Sequence, residues 1–141
     1  MKQKIVLVQG AFEIIHYGHI RVFQRAKSLG DILIVALNVN RLLPEYKKRE
    51  AIIPWWQKAT IIRNLGMVDM VVQAHNFSPL SLLKKYDVDV YCCGSEWVAT
   101  KAEEFRYMRE KGGKVVILPR YARIIPTSEI KRRLLAEAQK K

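Results

Sequence analysis

Ile32-Leu33-Ile34-Val35-Ala36-Leu37 is six apolar residues in a row, with no polar alternation. A strand of this kind is buried on both faces, which happens in a parallel sheet covered by helices on each side. Shorter runs of similar character recur at Ile5-Val6-Leu7-Val8, at Val88 to Cys92 and at Val115-Val116-Ile117-Leu118. Segments with helical spacing or charged faces separate them. Parallel neighbours cannot be joined by tight turns, so the intervening segments serve as crossovers.

The pattern predicts strand one at Ile5 to Gln9 and a helix at Gly18 to Leu29, stopped by Gly30. Val22, Phe23, Ala26 and Leu29 recur at helical spacing and form its core stripe. The Ile32–Leu37 strand is followed by a basic loop, Asn38 to Ile53, containing Lys47-Lys48-Arg49. Pro54 opens a second helix that runs to Leu65. A third strand spans Val68 to Gln73, a third helix Pro79 to Tyr86 and a fourth strand Val88 to Cys92. A charged helix covers Val98 to Lys111 and ends at Gly112-Gly113. The fifth strand, Val115 to Leu118, precedes a last helix at Thr127 to Gln139. The expected fold is a Rossmann-like three-layer α/β/α sandwich on a five-stranded parallel sheet, in one domain spanning residues 1 to 141.

Composition narrows the function. Half of the 141 residues are hydrophobic, which argues against disorder. No apolar run approaches the roughly 20 residues that span a bilayer. Lys2-Gln3-Lys4 leads at once into a strand, not into a secretory apolar region, so the cytoplasm is the expected location. Cys92 and Cys93 are neighbours on a strand, point to opposite faces and read as buried, reduced thiols. The net charge of +12 calls for anionic partners.

Two turns carry candidate chemistry. Gly10-Ala11-Phe12-Glu13-Ile14-Ile15-His16-Tyr17-Gly18-His19 leaves the first strand and enters the first helix. In open α/β folds this turn lies at the carboxyl edge of the sheet, where ligands bind. A helix N-terminus there offers free N–H groups and partial positive charge to a phosphate. Gly10 and Gly18 permit close backbone approach, and His16 and His19 add donors. The second turn runs from Pro119 to Lys131. Thr127 and Ser128 cap the last helix and can also bind phosphate, and Arg120 and Arg123 lie just before it.

His16-Tyr17-Gly18-His19 resembles the H-x-G-H signature of the nucleotidyltransferase superfamily that shares its fold with class I aminoacyl-tRNA synthetases. Arg120, Thr127 and Ser128 match positions in the R-T-E-G-I-S-T-S/T motif of the small cytidylyltransferases, such as those acting on glycerol 3-phosphate. Gly94-Ser95-Glu96-Trp97 is similar to that family's G-D-D-W. Five positions depart from the family: Ala11 and Glu13 within G-T-F-D, Gln57-Lys58 where an acidic residue and Arg are usual, and Pro126 for Ser in a segment one residue longer.

The resemblance implies transfer of a nucleotidyl group from a nucleoside triphosphate, CTP above all, to a phosphorylated small molecule such as glycerol 3-phosphate or a sugar phosphate. It implies catalytic roles for His16, His19, Lys48 (with Lys47 as its rival) and Arg120. It implies nucleotide contacts at Gly10, Ala11, Phe12, Gly18, Gly94, Glu96, Thr127 and Ser128, and acceptor contacts at Trp97 and Lys58. Mg²⁺ is expected to travel with the triphosphate rather than sit in a carboxylate cage, and a homodimer is expected. The main alternative is an adenylyltransferase using ATP on a sugar phosphate, flavin or pantetheine phosphate. A basic nucleic-acid-binding module, using Lys131, Arg132, Arg133, Lys140 and Lys141, is the other. At least one of Trp55 and Trp56 is expected in the core, and His75 is expected to be a loop residue.

Overall fold

The computed structural model describes residues 2–44, 51–119 and 127–140. Lys47, Lys48, Arg49, Arg120, Arg123 and Pro126 lie outside the described residues, so their expected roles find no structural counterpart here. Five strands, β1 (Ile5–Gly10), β2 (Ile32–Asn38), β3 (Met70–Ala74), β4 (Val90–Gly94) and β5 (Lys114–Leu118), form one parallel sheet in the order β3-β2-β1-β4-β5. Among the described residues, the sheet is accompanied by the α-helices α1 (Tyr17–Lys27), α2 (Trp55–Arg63), α3 (Leu80–Lys85), α4 (Ala102–Glu110) and α5 (Thr127–Gln139). The expected α/β class, all-parallel sheet and five strands are present.

β1 is central. It pairs with β2 from Ile5↔Ile32 to Gly10↔Leu37 and with β4 from Val6↔Val90 to Val8↔Cys92. Alternate residues feed two separate cores. Val6, Val8, Leu33, Val35 and Cys92 pack with Phe23 and Ala26 of α1 and Ala59 and Ile62 of α2. Leu7, Ile34, Ala36 and Cys93 pack with Leu83 of α3 and Met108 of α4. The two cysteines are buried and unbridged on opposite faces. Trp55 packs on the first core and donates its Nε1–H to the Leu37 carbonyl at 3.0 Å, whereas Trp56 is exposed.

Two features differ from the sequence reading for identifiable reasons. The helix expected from Val98 starts at Ala102, and Ser95–Thr100 is a 3₁₀ turn. There the Thr100 hydroxyl donates to the Trp97 carbonyl at 2.8 Å, and Lys101 swings to φ −115° before α4 begins. Gly30 does not adopt the left-handed cap expected of it. α1 ends at Ser28 in right-handed geometry, and Gly30 is needed because a Cβ there would meet Val6 Cγ2 at 2.6 Å and the Lys4 carbonyl at 2.8 Å. Left-handed caps end α3 and α4 instead. Asp87 (φ 48°) and Gly112 (φ 82°) each follow a helix, and the next N–H, of Val88 or Gly113, returns to the carbonyl of Leu83 or Met108.

Gly30→Ala is therefore expected to cost about 1–3 kcal/mol through overpacking against β1, although alanine is the better residue in most chain positions. Urea unfolding of the variant measures it, and an unchanged midpoint would show that the contact relaxes.

Candidate functional site

The carboxyl ends of β1, β2, β4 and β5 line one cleft of about 930 Å³. Its centre lies where the strand order reverses. From β1 the chain goes outward to β2 and β3, then returns past β1 to β4 and β5. Diverging connections leave a crevice at such a point.

The turn after β1 forms the floor. Phe12 takes a left-handed conformation (φ 42°), which aims its ring back under the turn. A Cβ on Gly10 would lie 2.8 Å from that ring, so only glycine fits. Phe12 packs edge-on against Phe23 at 4.9 Å and against His19 at 5.2 Å.

The two histidines cap α1 reciprocally. Gly18 N–H donates to His16 Nδ1 at 3.0 Å, and His16 N–H donates to His19 Nδ1 at 3.3 Å. The rings stack at 3.8 Å. Because each Nδ1 accepts a backbone hydrogen, the proton of each neutral ring sits on Nε2. Burial holds both imidazoles below the usual histidine range, and the His16 charge adds to burial in holding His19 down at about 4. Near neutral pH the pair presents neutral Nε2–H donors beside the positive end of a helix dipole.

Glu13 ties the turn to two distant segments. It is 5% exposed and accepts the Ile52 N–H at 3.1 Å and the Lys131 ammonium at 2.8 Å. Lys131 lies one helical turn beyond Thr127, so this pair holds α5 against the cleft. Lys58 lies elsewhere than expected. It is 2% exposed, donates to the Ala11 carbonyl at 3.3 Å and does not line the cleft. The expected acceptor contact is corrected to a buried strut, because α2 packs under the turn and has nowhere else to direct the ammonium. Burial lowers its pKa, with the nearby Glu13 opposing.

Of the other expected site residues, Gly10, Ala11, Phe12, His16, Gly18, His19, Gly94, Glu96, Trp97, Thr127 and Ser128 all line this one cleft. Gly94 sits tight against the Glu96 carboxylate, with a would-be Cβ at 3.1 Å. Gln9, Asn38 and Lys101 also line it but were not assigned to a site from sequence, and Lys131, read there only as a nucleic-acid contact, lines it too. No motif marks them, and Glu13 and Lys131 are 118 positions apart. His75 borders a separate small hollow with Asn76 and Ser78. Among the described residues, no helix is long and apolar enough to cross a membrane.

A family model described as cytidylyltransferase-like matches residues 7–133. Glycerol-3-phosphate cytidylyltransferase of Staphylococcus aureus is 30% identical over 97% of this chain and 99% of its own length. The bifunctional protein HldE of Campylobacter fetus is 33% identical over 75% of this chain, which spans 23% of that longer protein. Among solved structures, a lipopolysaccharide core biosynthesis protein from Thermoplasma volcanium shares the fold, with a TM-score of 0.70 and 23% identity over 84% of this chain and 96% of the other.

Two consequences are measurable. His19 binds a proton less readily when folded, about 4 against 6.5, so the unfolded chain holds more protons in that window. Stability of the free protein is thus complete above pH 6.5 and is lost as pH falls toward 4, by at most about 3 kcal/mol. Unfolding midpoints across this range should fall more steeply for the wild type than for His19→Gln. Separately, Glu13→Ala strands the Lys131 ammonium and opens the turn, and should cost on the order of 3 kcal/mol in urea unfolding. A loss below about 0.5 kcal/mol would mean that α5 is held by other contacts.

Proposed function

Since the chain belongs to the cytidylyltransferase-like family, we propose that it transfers a cytidylyl group from CTP to a phosphorylated small molecule, with glycerol 3-phosphate or a sugar phosphate as acceptor. The observation that carries this reading is the pair of tautomer-locked imidazoles at the N-terminus of α1, facing the same cleft as Thr127 and Ser128.

In this reaction an oxygen of the acceptor phosphate attacks the α-phosphorus, the bond to the β-phosphate oxygen breaks, and pyrophosphate departs. The attacking phosphate is already anionic at neutral pH, so no strong base is required. Positioning and charge stabilisation supply the rate. His16 and His19 donate Nε2–H to the α-phosphate as charge accumulates on its oxygens. Their neutrality is an asset, since a donor with no proton to lose at working pH keeps one role throughout. Thr127 and Ser128, at the start of α5, hold the β- and γ-phosphates. Lys48 and Arg120 are assigned to the same phosphates on the strength of the motif. Gly94, Glu96 and Trp97 border the nucleotide and acceptor.

Mg²⁺ would be carried by the triphosphate's own oxygens. Among the described residues no group of three His, Cys, Asp or Glu could hold a metal ion, and both oxygens of Glu13 at the turn are engaged. That donor set fits an ion ligated mainly by substrate oxygens and water. When bound, it neutralises charge on the triphosphate. Such a reaction suits the cytoplasm, and a homodimer is the assembly this reading carries with it.

Pyrophosphate release with CTP, ATP, GTP and UTP, each with Mg²⁺ and a panel of phosphorylated acceptors, tests the proposal. CTP should support turnover, and His16→Ala should lower kcat by about 100-fold or more. Turnover with ATP alone would keep the reaction and overturn the choice of base. No release with any nucleotide would overturn the reading.

A further inference from the structure

Among the described α-helices, α5 alone has no buried residue, and neither apolar core includes any part of it. Leu134 and Leu135 are exposed. The ion pairs of Glu129 with Arg132 and Arg133, and of Glu137 with Lys140, stay within the helix. Among the described residues, the 2.8 Å contact of Lys131 Nζ with Glu13 Oε2 is the polar tie between α5 and the rest of the chain. Apolar packing does not set the direction of this helix. Thr127 and Ser128, at its start, therefore take their positions from one ion pair.

The other oxygen of Glu13 is also committed. Oε1 accepts the Ile52 N–H at 3.1 Å, and the next carbonyl, of Ile53, accepts from Asn40 Nδ2 at 3.0 Å. One carboxylate, 5% exposed, thus joins the turn after β1, the chain entering α2, and α5. Glu13 and Lys131 line the same cleft as His16, His19, Thr127 and Ser128. A carboxylate on the wall of a site for a polyanion is unfavourable on charge alone, because it repels the ligand. A buried ion pair adds little net stability, but its charge-assisted bond is short, geometrically demanding and costly to break. Such a group suits a geometric role.

We propose that Glu13 is a positioning residue for triphosphate binding. Its two oxygens hold α5 and the chain before α2 at fixed distances from the imidazole pair, so that Thr127 and Ser128 meet the β- and γ-phosphates. The inference rests on the nucleotidyl-transfer reading and deepens it. Glu13 acts through Lys131 and Ile52, not by touching the nucleotide.

The sign of the effect separates this role from direct electrostatics. Removing a negative charge beside the triphosphate, and freeing the Lys131 ammonium, would by itself tighten nucleotide binding. Loss of positioning weakens it. Steady-state kinetics use the nucleotide and acceptor that turn over in the panel above. They compare the wild type, Glu13→Gln, Glu13→Asp and the double variant Glu13→Asp/Lys131→Arg. Glu13→Gln, which keeps an oxygen for Ile52, should raise the nucleotide KM about tenfold, with the acceptor KM changed by no more than about threefold. Glu13→Asp, one methylene short of Lys131, should do the same. The longer arm of arginine should recover most of that loss in the double variant. A smaller folded fraction would lower kcat and leave both KM values in place, so lost stability alone does not mimic this pattern. An unchanged or lower nucleotide KM in Glu13→Gln, equal rises in both KM values, or no recovery in the double variant would overturn the proposal. Should no nucleotide support turnover, calorimetric titration with CTP and Mg²⁺ compares the same variants without chemistry. Wild-type binding that weakens about tenfold in Glu13→Gln and Glu13→Asp, and returns in the double variant, upholds the positioning role even where the transfer reading fails. Binding that is unchanged, tighter or absent throughout overturns it.

Discussion

β1 is hydrogen-bonded along both edges and covered on both faces, and the site depends on that confinement. A strand held by β2 on one side and β4 on the other can release its chain only at its end. There Gly10 and the left-handed Phe12 turn the backbone sharply into α1. The N-terminus of α1 is thereby fixed over the point where the sheet's connections diverge. Loosening β1 would leave the imidazole pair with a helix but no fixed direction.

The imidazole pair does two jobs with one set of hydrogen bonds. Each Nδ1 satisfies an N–H that the first turn of a helix leaves without a partner. The same contacts place the remaining ring proton on Nε2. Capping and ligand recognition are thus coupled. A residue that caps equally well, such as serine or aspartate, would preserve the helix and remove the donor. The short x-G spacing follows from this geometry. The N-cap side chain reaches the N–H two residues on, and the side chain three residues on reaches back.

Buried charge is concentrated around the cleft. Glu13, Lys58 and Lys101 are each below a tenth exposed, and the first two brace the turn from opposite sides. Ion pairs of this kind contribute little net stability compared with apolar packing, but breaking one leaves a buried charge unmatched. They therefore hold the geometry of the turn more than they stabilise the fold. The departures at Glu13 and Lys58 follow this logic. A longer carboxylate reaches Lys131 on α5, and a lysine on α2 supports Ala11 through a single bond.

The alternation of strands and helices and the layer structure were legible because they rest on local chemistry. Continuous apolar runs specify two-sided burial, and glycine and proline mark where those runs stop. The H-x-G-H turn was legible because its spacing is a property of one helical turn. The start of α4 was misread because Lys101 is drawn away by Phe77, a residue 24 positions distant, and propensity cannot register such a contact. Gly30 looked like a helix cap, but its requirement comes from the closeness of β1. Lys58 looked like a free cation in a basic chain, yet its surroundings are set by how α2 packs.

By itself, then, the sequence determined the alternation of strands and helices and the turn that carries the histidine pair. Each of these depends on residues within a few positions of one another. Only the tertiary structure decided which charged groups face the cleft and which support it from beneath. Gln9 and Lys101 come to line one cleft, and Glu13 meets Lys131, through sheet order and helix packing. Those distances are set by the folded chain as a whole, so they leave no periodic or local trace in the order of residues.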